Sequence, residues 1–371
     1  MALGMLKNES DKMVDKIEGG STNKIVKIFI LFFIVAICCL VLNYHSNTYI
    51  LEFFPNSNNS ILSKNLSIYD SYINGKKSSR QENYLTYSKK QKIKLKKVLK
   101  EAAMGDKTVI ITTLNAAWTA PNSIFDIFLE SFRIGNNTKS LLKNLLVVAF
   151  DQIAYSRCLE IHTHCYALIT KNVDFSGEKR YMSGDYLKMM WRRTDFLRIV
   201  LQMGYSFIFT DADILWFRQP FAHFYSHVDF QIACDYYLHN SSDPNNAPNG
   251  GFKFVKSNNQ TIQFYKFWNK SRRTYPGKNE QDVLNIIKYS PFIKKIGLKM
   301  RFLNTAYFGG FCEPSKYLNY VCTMHANCCI GLDNKIHDLR MAINDWKNYM
   351  ALPNDERKSY KYTWTLPRIC G

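Results

Sequence analysis

The chain has 371 residues, 46% of them hydrophobic, and a formal charge of +19, a length that can bury a sizeable core as one large or two small domains. The charge invites a nucleic-acid reading, yet ten Lys or Arg against the single acid Glu82 lie between Lys76 and Lys100, a net +9 in one segment, which reads as a solvated face or linker. A nucleic-acid partner is set aside on that ground, while an acidic polysaccharide or an anionic membrane face stays open for the segment.

In chain order, residues 1–24 read as a polar cytoplasmic tail. From Ile28 to Leu42 fifteen apolar residues run without interruption, and Ile25-Val26 extends the stretch to eighteen if Lys27 snorkels. Residues 25–42 are therefore expected to be an uncleaved signal-anchor, because a long polar segment precedes them and no A-x-A-like cleavage site follows. Residues 1–27 carry five lysines and residues 43–62 no Lys or Arg, so the N-terminus is expected in the cytosol and the rest of the chain in the lumen. A short span suits the thinner bilayers of the early secretory pathway. Sequons at Asn58, Asn65, Asn136, Asn240, Asn259 and Asn269 agree with that placement. Residues 43–105 read as a luminal stem, rich in Asn and Ser and then in Lys, with Ile93, Leu95, Val98 and Leu99 marking a helix that leads into the domain.

The globular domain is expected over residues 106–350, with 351–371 as a C-terminal tail. Val109-Ile-Ile-Thr-Thr-Leu-Asn115 and Leu145-Leu-Val-Val-Ala-Phe-Asp151 are apolar runs ending in polar residues, separated by a helical pattern around Ile124, Phe125, Phe128 and Leu129, which makes a β-α-β unit. Cys165-Tyr-Ala-Leu-Ile169 adds a strand, so a central, mostly parallel sheet of an α/β fold is expected. A long helix follows, opened by Ser183 and Asp185, with Leu187, Met190, Trp191, Thr194, Leu197, Val200 and Leu201 on one face and Gly204 as its stop. Lys188, Arg192, Arg193 and Arg198 fall off that stripe, as solvated helix charge would.

That helix delivers the chain into Phe207-Ile-Phe-Thr-Asp-Ala-Asp-Ile-Leu-Trp-Phe217, where Asp211 and Asp213 sit between two apolar runs. A chance D-x-D is common, but ligand sites gather at the carboxyl ends of buried parallel strands, so the pair reads as a hard-cation site. Without a cation the two carboxylates are expected to repel. Asp229-Phe-Gln-Ile-Ala-Cys234 reads as a strand, and Asn249-Gly-Gly before Phe252-Lys-Phe-Val255 reads either as a tight turn or as backbone approaching a ligand. A helix around Phe264, Phe267 and Trp268 precedes Asn279-Glu-Gln-Asp282, whose acids are either functional or favoured by the helix dipole. Eight cysteines follow the span, and in an oxidising lumen they are expected to pair; Cys158 with Cys165 and Cys312 with Cys322 are the local candidates. A zinc site of Cys158, His162, His164 and Cys165 is the rival reading. The last informative stretch is Cys322-Thr-Met-His-Ala-Asn-Cys-Cys-Ile-Gly331 with Lys335 beyond it.

Taken together, Trp191-Arg-Arg-Thr-Asp-Phe-Leu-Arg198, Phe209-Thr-Asp-Ala-Asp-Ile-Leu-Trp-Phe-Arg218, Asn249-Gly-Gly, Glu280-Gln-Asp-Val-Leu-Asn285 and His325-Ala-Asn-Cys-Cys resemble the plant nucleotide-diphospho-sugar transferases of glycosyltransferase family 77, from about Asp106 to about Met350. The resemblance implies a GT-A fold, a divalent metal, and retaining transfer of a pentose such as xylose or arabinose from a UDP-sugar to a cell-wall polysaccharide or glycoprotein in the Golgi. It implies Asp211, Asp213 and His325 as ligands of Mn²⁺ or Mg²⁺, with Asp211 and Asp213 bridging to the sugar-nucleotide. Gln281 and Asp282 then stand beside the reacting carbon, and Asn249, Gly250, Arg193, Thr113 and Asn115 on the donor. Lys335 is placed on the diphosphate, although Gly331 and Lys335 follow His325 at six and ten residues rather than in the related H-x-x-G-x-x-K spacing. A luminal carbohydrate-active hydrolase with paired carboxylates, or a silent lectin-like protein on the same fold, are the alternatives.

Overall fold

The computed structural model describes residues 89–358 and 362–370. The expected tail 1–24, the anchor 25–42, the stem up to residue 88 and the sequons at Asn58 and Asn65 lie outside the described residues. Among the described residues no helix is long and apolar enough to cross a membrane.

In chain order the elements are α1 (Lys89–Ala102), β1 (Thr108–Leu114), α2 (Ile124–Ile134), β2 (Leu145–Ala149), α3 (Gln152–Ile161), β3 (Cys165–Ala167), α4 (Gly184–Gln202), β4 (Ser206–Thr210), β5 (Ile214–Trp216), β6 (Phe230–Tyr236), β7 (Ala247–Val255), α5 (Asn259–Ser271), α6 (Glu280–Ile287), α7 (Pro291–Lys295), β8 (Met300–Phe302), β9 (Phe308–Gly310), β10 (Thr323–His325), α8 (Leu332–Ala351) and α9 (Asn354–Arg357). Seven strands form one sheet in the order β3-β2-β1-β4-β7-β6-β8, and β5-β10-β9 form a second. The pairs β2/β3, β1/β2, β1/β4 and β6/β8 are parallel, whereas β7 is antiparallel to both β4 and β6. Only β7 therefore runs against the sheet, which is mixed and mostly parallel as expected.

The continuous apolar runs have a simple cause, since β1 and β2 are buried along their whole length and a strand covered on both faces needs no polar alternation. Alternate residues feed two cores. Ile110, Leu114, Leu145, Val147 and Ile208 meet α2, α8 and the small sheet on one face, while Val109, Ile111, Leu146, Val148, Phe207 and Phe209 meet α1, α4, α5 and α6 on the other.

The α4 helix starts where expected, with Ser183 Oγ accepting from the Tyr186 N–H at 3.2 Å, and ends at Gly204, whose φ of +82° suits the residue that closes a helix. One expectation about it fails, because Arg193 is 5% exposed and not a solvated charge. The folded unit also reaches beyond residues 106–350 at both ends. Leu95 and Leu99 of α1 are fully buried, each a burial of about 1.5–3 kcal/mol, so this part of the Lys-rich stem belongs to the core. At the other end the Asp338 carboxylate accepts from the backbone N–H groups of Arg368, Ile369 and Cys370, and Leu366 is buried.

Disulfides join Cys158 to Cys165, Cys312 to Cys328 and Cys329 to Cys370, leaving Cys234 and Cys322 as buried thiols. The first pair is the expected one, and its formation removes the rival zinc site. The expected Cys312 to Cys322 pair does not form, for a reason of register. Parallel pairing sets Phe308 beside Thr323 and Gly310 beside His325, so two residues further on Cys312 lies level with Asn327 and next to Cys328, at the far end of β10 from Cys322. Burial pushes the Cys322 thiol up to about 12 and raises that of Cys234, so neither should react while the chain is folded. Alkylation without reductant, followed by peptide mass mapping, should label these two of the eight only after denaturation. A 312–322 cross-link in that map would contradict the register of β9 and β10.

Candidate active site

The turn between β4 and β5 is held from both sides. Asp211 N–H donates to the Gly251 carbonyl on β7 at 2.7 Å, and the Asp213 carbonyl accepts from Ala326 N–H just past β10 at 3.0 Å, while Ala212 between them is buried in the core. The antiparallel ladder of β5 and β10 sets His325 opposite Ile214, next to Asp213. Asp211, Asp213 and His325 thus bring one ligand atom each within 4.8 Å of one another.

These residues fit a divalent cation. Asp213 Oδ1 is buried without a hydrogen bond although His325 Nε2 lies 3.2 Å away. Two ligand atoms at right angles on an ion with bonds of about 2.1 Å are about 3 Å apart, so that spacing suits one coordination shell. Two carboxylates and an imidazole make a donor set of two oxygens and a nitrogen, which suits a divalent metal that accepts both.

The expected repulsion between the two acids is absent, because each has its own cation. Arg193 Nη1 donates to Asp211 Oδ1 at 2.5 Å and its Nη2 donates to Glu280 Oε1, while Lys335 Nζ donates to Asp213 Oδ2 at 2.6 Å and to the Ala326 carbonyl at 2.7 Å. Lys335 and His325 outweigh burial and hold the Asp213 carboxyl below its usual range. Glu280 is buried and paired as well as being the first residue of α6; Asn279 caps that helix, its Oδ1 accepting from Asp282 N–H at 2.7 Å.

The paired glycines are not a turn before a strand, since β7 already begins at Ala247. Running against the sheet, β7 starts at the edge where its neighbours end, and so carries Asn249, Gly250 and Gly251 to the acids. A Cβ on Gly251 would lie 2.5 Å from His325 Cε1 and 2.8 Å from Asp211 Oδ2, so close backbone approach is the reason for this glycine. Gly250 N–H donates to Gln281 Oε1 at 2.8 Å.

Asp235, which the sequence reading missed, organises the neighbouring polar group. Its carboxylate accepts from Asn249 Nδ2 at 2.7 Å, Gln281 Nε2 at 2.9 Å and Asn327 Nδ2 at 2.7 Å. The signal was available, because Asp235 follows an apolar run at a strand's carboxyl end, as Asp211 does, but the strand was ended at Cys234. Tyr181 is exposed, and its hydroxyl accepts from Asn279 Nδ2 at 3.4 Å at the start of α6. Thr113 and Asn115 lie at the end of β1, which pairs with β4. Both amide hydrogens of Asn115 go to the carbonyls of Phe175 and Gly177, so its amide group holds that loop.

Under the site lies Lys253 of β7, 1% exposed, with Nζ 2.7 Å from the Gly250 carbonyl and 4.4 Å from the centre of the Phe209 ring. Burial, followed by the Arg193 charge, holds its pKa down to about 7, against Glu280 and Asp211. Unfolded, the amine titrates near about 10.4; across the window between these values the unfolded state binds a proton that the folded state lacks, so stability rises with pH there. Lys253→Met should raise Tm, with a gain on the order of a few kcal/mol at pH 6 that shrinks towards pH 10. Scanning calorimetry at the two pH values checks this, and an equal gain at both would show that Lys253 is not held neutral.

Compared with known proteins, the chain has a structural likeness to mouse xyloside xylosyltransferase 1, with a TM-score of 0.38 and 12% identity, covering 60% of this chain and 98% of that one. In sequence it is 55% identical over 278 residues to the "Uncharacterized protein At4g15970" of Arabidopsis thaliana, covering 75% of this chain and 73% of that protein. It is 42% identical over 281 residues to the "Uncharacterized protein At1g28695" of the same plant, covering 72% and 84%. The family model for nucleotide-diphospho-sugar transferases matches residues 140–339, more than half the chain, and that span contains the two aspartates, the β7 glycines, Glu280-Gln281-Asp282, His325 and Lys335. The protein belongs to the nucleotide-diphospho-sugar transferase family and is a glycosyltransferase.

Proposed function

We propose that the protein is a metal-dependent, retaining glycosyltransferase of the family 77 type with a GT-A fold, moving a pentose such as xylose or arabinose from a UDP-sugar to a cell-wall polysaccharide or glycoprotein. The observation that carries this reading is the meeting of Asp211, Asp213 and His325 beside the polar group centred on Asp235. The first set suits a cation and a diphosphate, and the second offers a carboxylate and amides to a sugar's hydroxyls.

Asp211, Asp213 and His325 would hold Mn²⁺ or Mg²⁺, which when bound supplies the charge that stabilises a departing diphosphate. Arg193 fixes the orientation of Asp211 through its second contact with Glu280, so the ligand is preorganised. Lys335 brings a positive charge to the diphosphate side. Asp235 orients Asn249 and Gln281, and Gln281 in turn holds Gly250, so the donor sugar meets amide groups whose rotamers are already set. Asp282 lies on the same helix turn as Gln281, and the resemblance sets the two beside the reacting carbon. In a front-face displacement the leaving phosphate oxygen takes the acceptor hydroxyl's proton, so no strong protein base is needed, and none of these residues is assigned that role. The apolar stretch at residues 25–42 supports a single-pass type II placement in the Golgi membrane with the domain luminal.

A panel of UDP-sugars with Mn²⁺, read by UDP release, should single out one donor. Asp213→Asn keeps the side-chain shape but should lower turnover by roughly 100- to 1000-fold, the scale of losing charge stabilisation at a transition state. His325→Ala should weaken Mn²⁺ by roughly 10- to 100-fold, with activity partly restored by excess Mn²⁺. Wild-type turnover in Asp213→Asn would remove the metal assignment. Placement has its own check, in that protease added to sealed microsomes should spare everything beyond residue 42.

A further inference from the structure

Two cations serve the two acids of the site, and they are built differently. Arg193 is 5% exposed and divides its guanidinium between Asp211 and Glu280, so it cannot leave one acid without stranding a buried charge on the other. Lys335 pairs with Asp213, its side chain is 16% exposed, and its other contacts are a backbone carbonyl and, at 5.9 Å from the ring centre, the face of Trp118. It also stands in the first turn of α8, where the helix dipole disfavours a cation and favours an anion. The N-cap there is Gly331, at φ +93° and with no side-chain cap, while the first-turn acid Asp333 is exposed to solvent. A flexible ammonium on a metal ligand, at a helix end suited to an anion, has somewhere better to go once a diphosphate arrives.

Resting on the metal-dependent reading above, we propose that Lys335 is the resident counter-ion of Asp213 and couples cation binding to diphosphate binding. While Nζ sits on Asp213 Oδ2, a divalent cation approaching Oδ1 and His325 meets a carboxylate whose charge is already matched, and a positive neighbour a few ångströms away. A nucleoside diphosphate changes both terms, because its oxygens bind the cation and give Nζ a new acceptor, so Lys335 turns from the carboxylate to the phosphate. The bare cation is therefore held weakly and the cation with diphosphate strongly, and by linkage each raises the other's affinity by the same factor.

The test is a Mn²⁺ titration of the full-length protein, followed by the electron paramagnetic resonance of free Mn²⁺, with and without UDP, for wild type, Lys335→Met and Lys335→Arg, with thermal melting alongside. UDP should tighten Mn²⁺ binding to wild type within the range of roughly 5- to 150-fold usual for coupled sites. Lys335→Met should bind Mn²⁺ alone about tenfold more tightly, the scale of removing one positive charge near a divalent ion, and should lose most of the gain from UDP. Lys335→Arg should behave like wild type on both counts. If Lys335→Met does not melt cooperatively, Lys335→Gln, which can still donate to Ala326, supplies the same comparison. Unchanged or weaker binding of Mn²⁺ alone by the neutral variant, or an undiminished effect of UDP, overturns the proposal and leaves the metal site standing. No Mn²⁺ binding by wild type under either condition overturns the metal reading and this inference together.

Discussion

Asp211, Asp213 and Glu280 are gathered in one largely buried corner, and the constraint on the rest of the site is that their negative charge must be matched. Two like charges about 4 Å apart repel by about 4 kcal/mol at an effective dielectric near 20, a large share of the 5–15 kcal/mol by which a domain is usually stable. Arg193 answers two of the acids and Lys335 the third. The functional region is therefore a network of charges that holds its shape before any ligand binds, instead of a cluster of acids waiting for a cation.

The fold supplies the means. A sheet whose strands all ended at one edge would bring loops to the site but no ladder. Because β7 alone runs the other way, its first residues lie at that edge: Ala247 and Pro248 pair with β6 and Phe252 with β4, and Asn249, Gly250 and Gly251 between them fall in an irregular stretch of the β6 ladder. Gly251, held by the Asp211 N–H on its carbonyl and by Asn249 Oδ1 on its own N–H, can then come within contact of Asp211 and His325. Lys253, two residues on, bonds the carbonyl of Gly250 from beneath, and its low pKa is the cost of burying an amine there.

The second sheet and its disulfides serve the same end from the opposite side. His325 owes its position to the β5/β10 ladder, and the chain just after it is tied by Cys312 to Cys328 and Cys329 to Cys370. The same tether draws the C-terminal segment onto α8, where the Asp338 carboxylate receives its backbone N–H groups. The helix that carries Lys335 is thus anchored along one side, and the lysine in its first turn reaches Asp213 and the Ala326 carbonyl.

The sequence alone determined the elements whose signals are local. Apolar runs of strand length, the Ser183 cap and the Gly204 stop marked β1, β2, β4 and α4, and the aspartates at a strand's carboxyl end marked the candidate site. Only the tertiary structure decided which charges meet. Arg193 read as a solvated charge, since periodicity places it off the apolar stripe but says nothing of a buried acid 87 residues away in sequence. Cys312 takes a partner other than the expected one for a related reason: the register between β9 and β10 sets its position, and no local pattern encodes it. The spacing from His325 to Lys335 looked unfavourable, yet the helix start and a long side chain bring Nζ to Asp213. Burial and pairing depend on what a side chain faces across space, and a one-dimensional pattern records only what it follows.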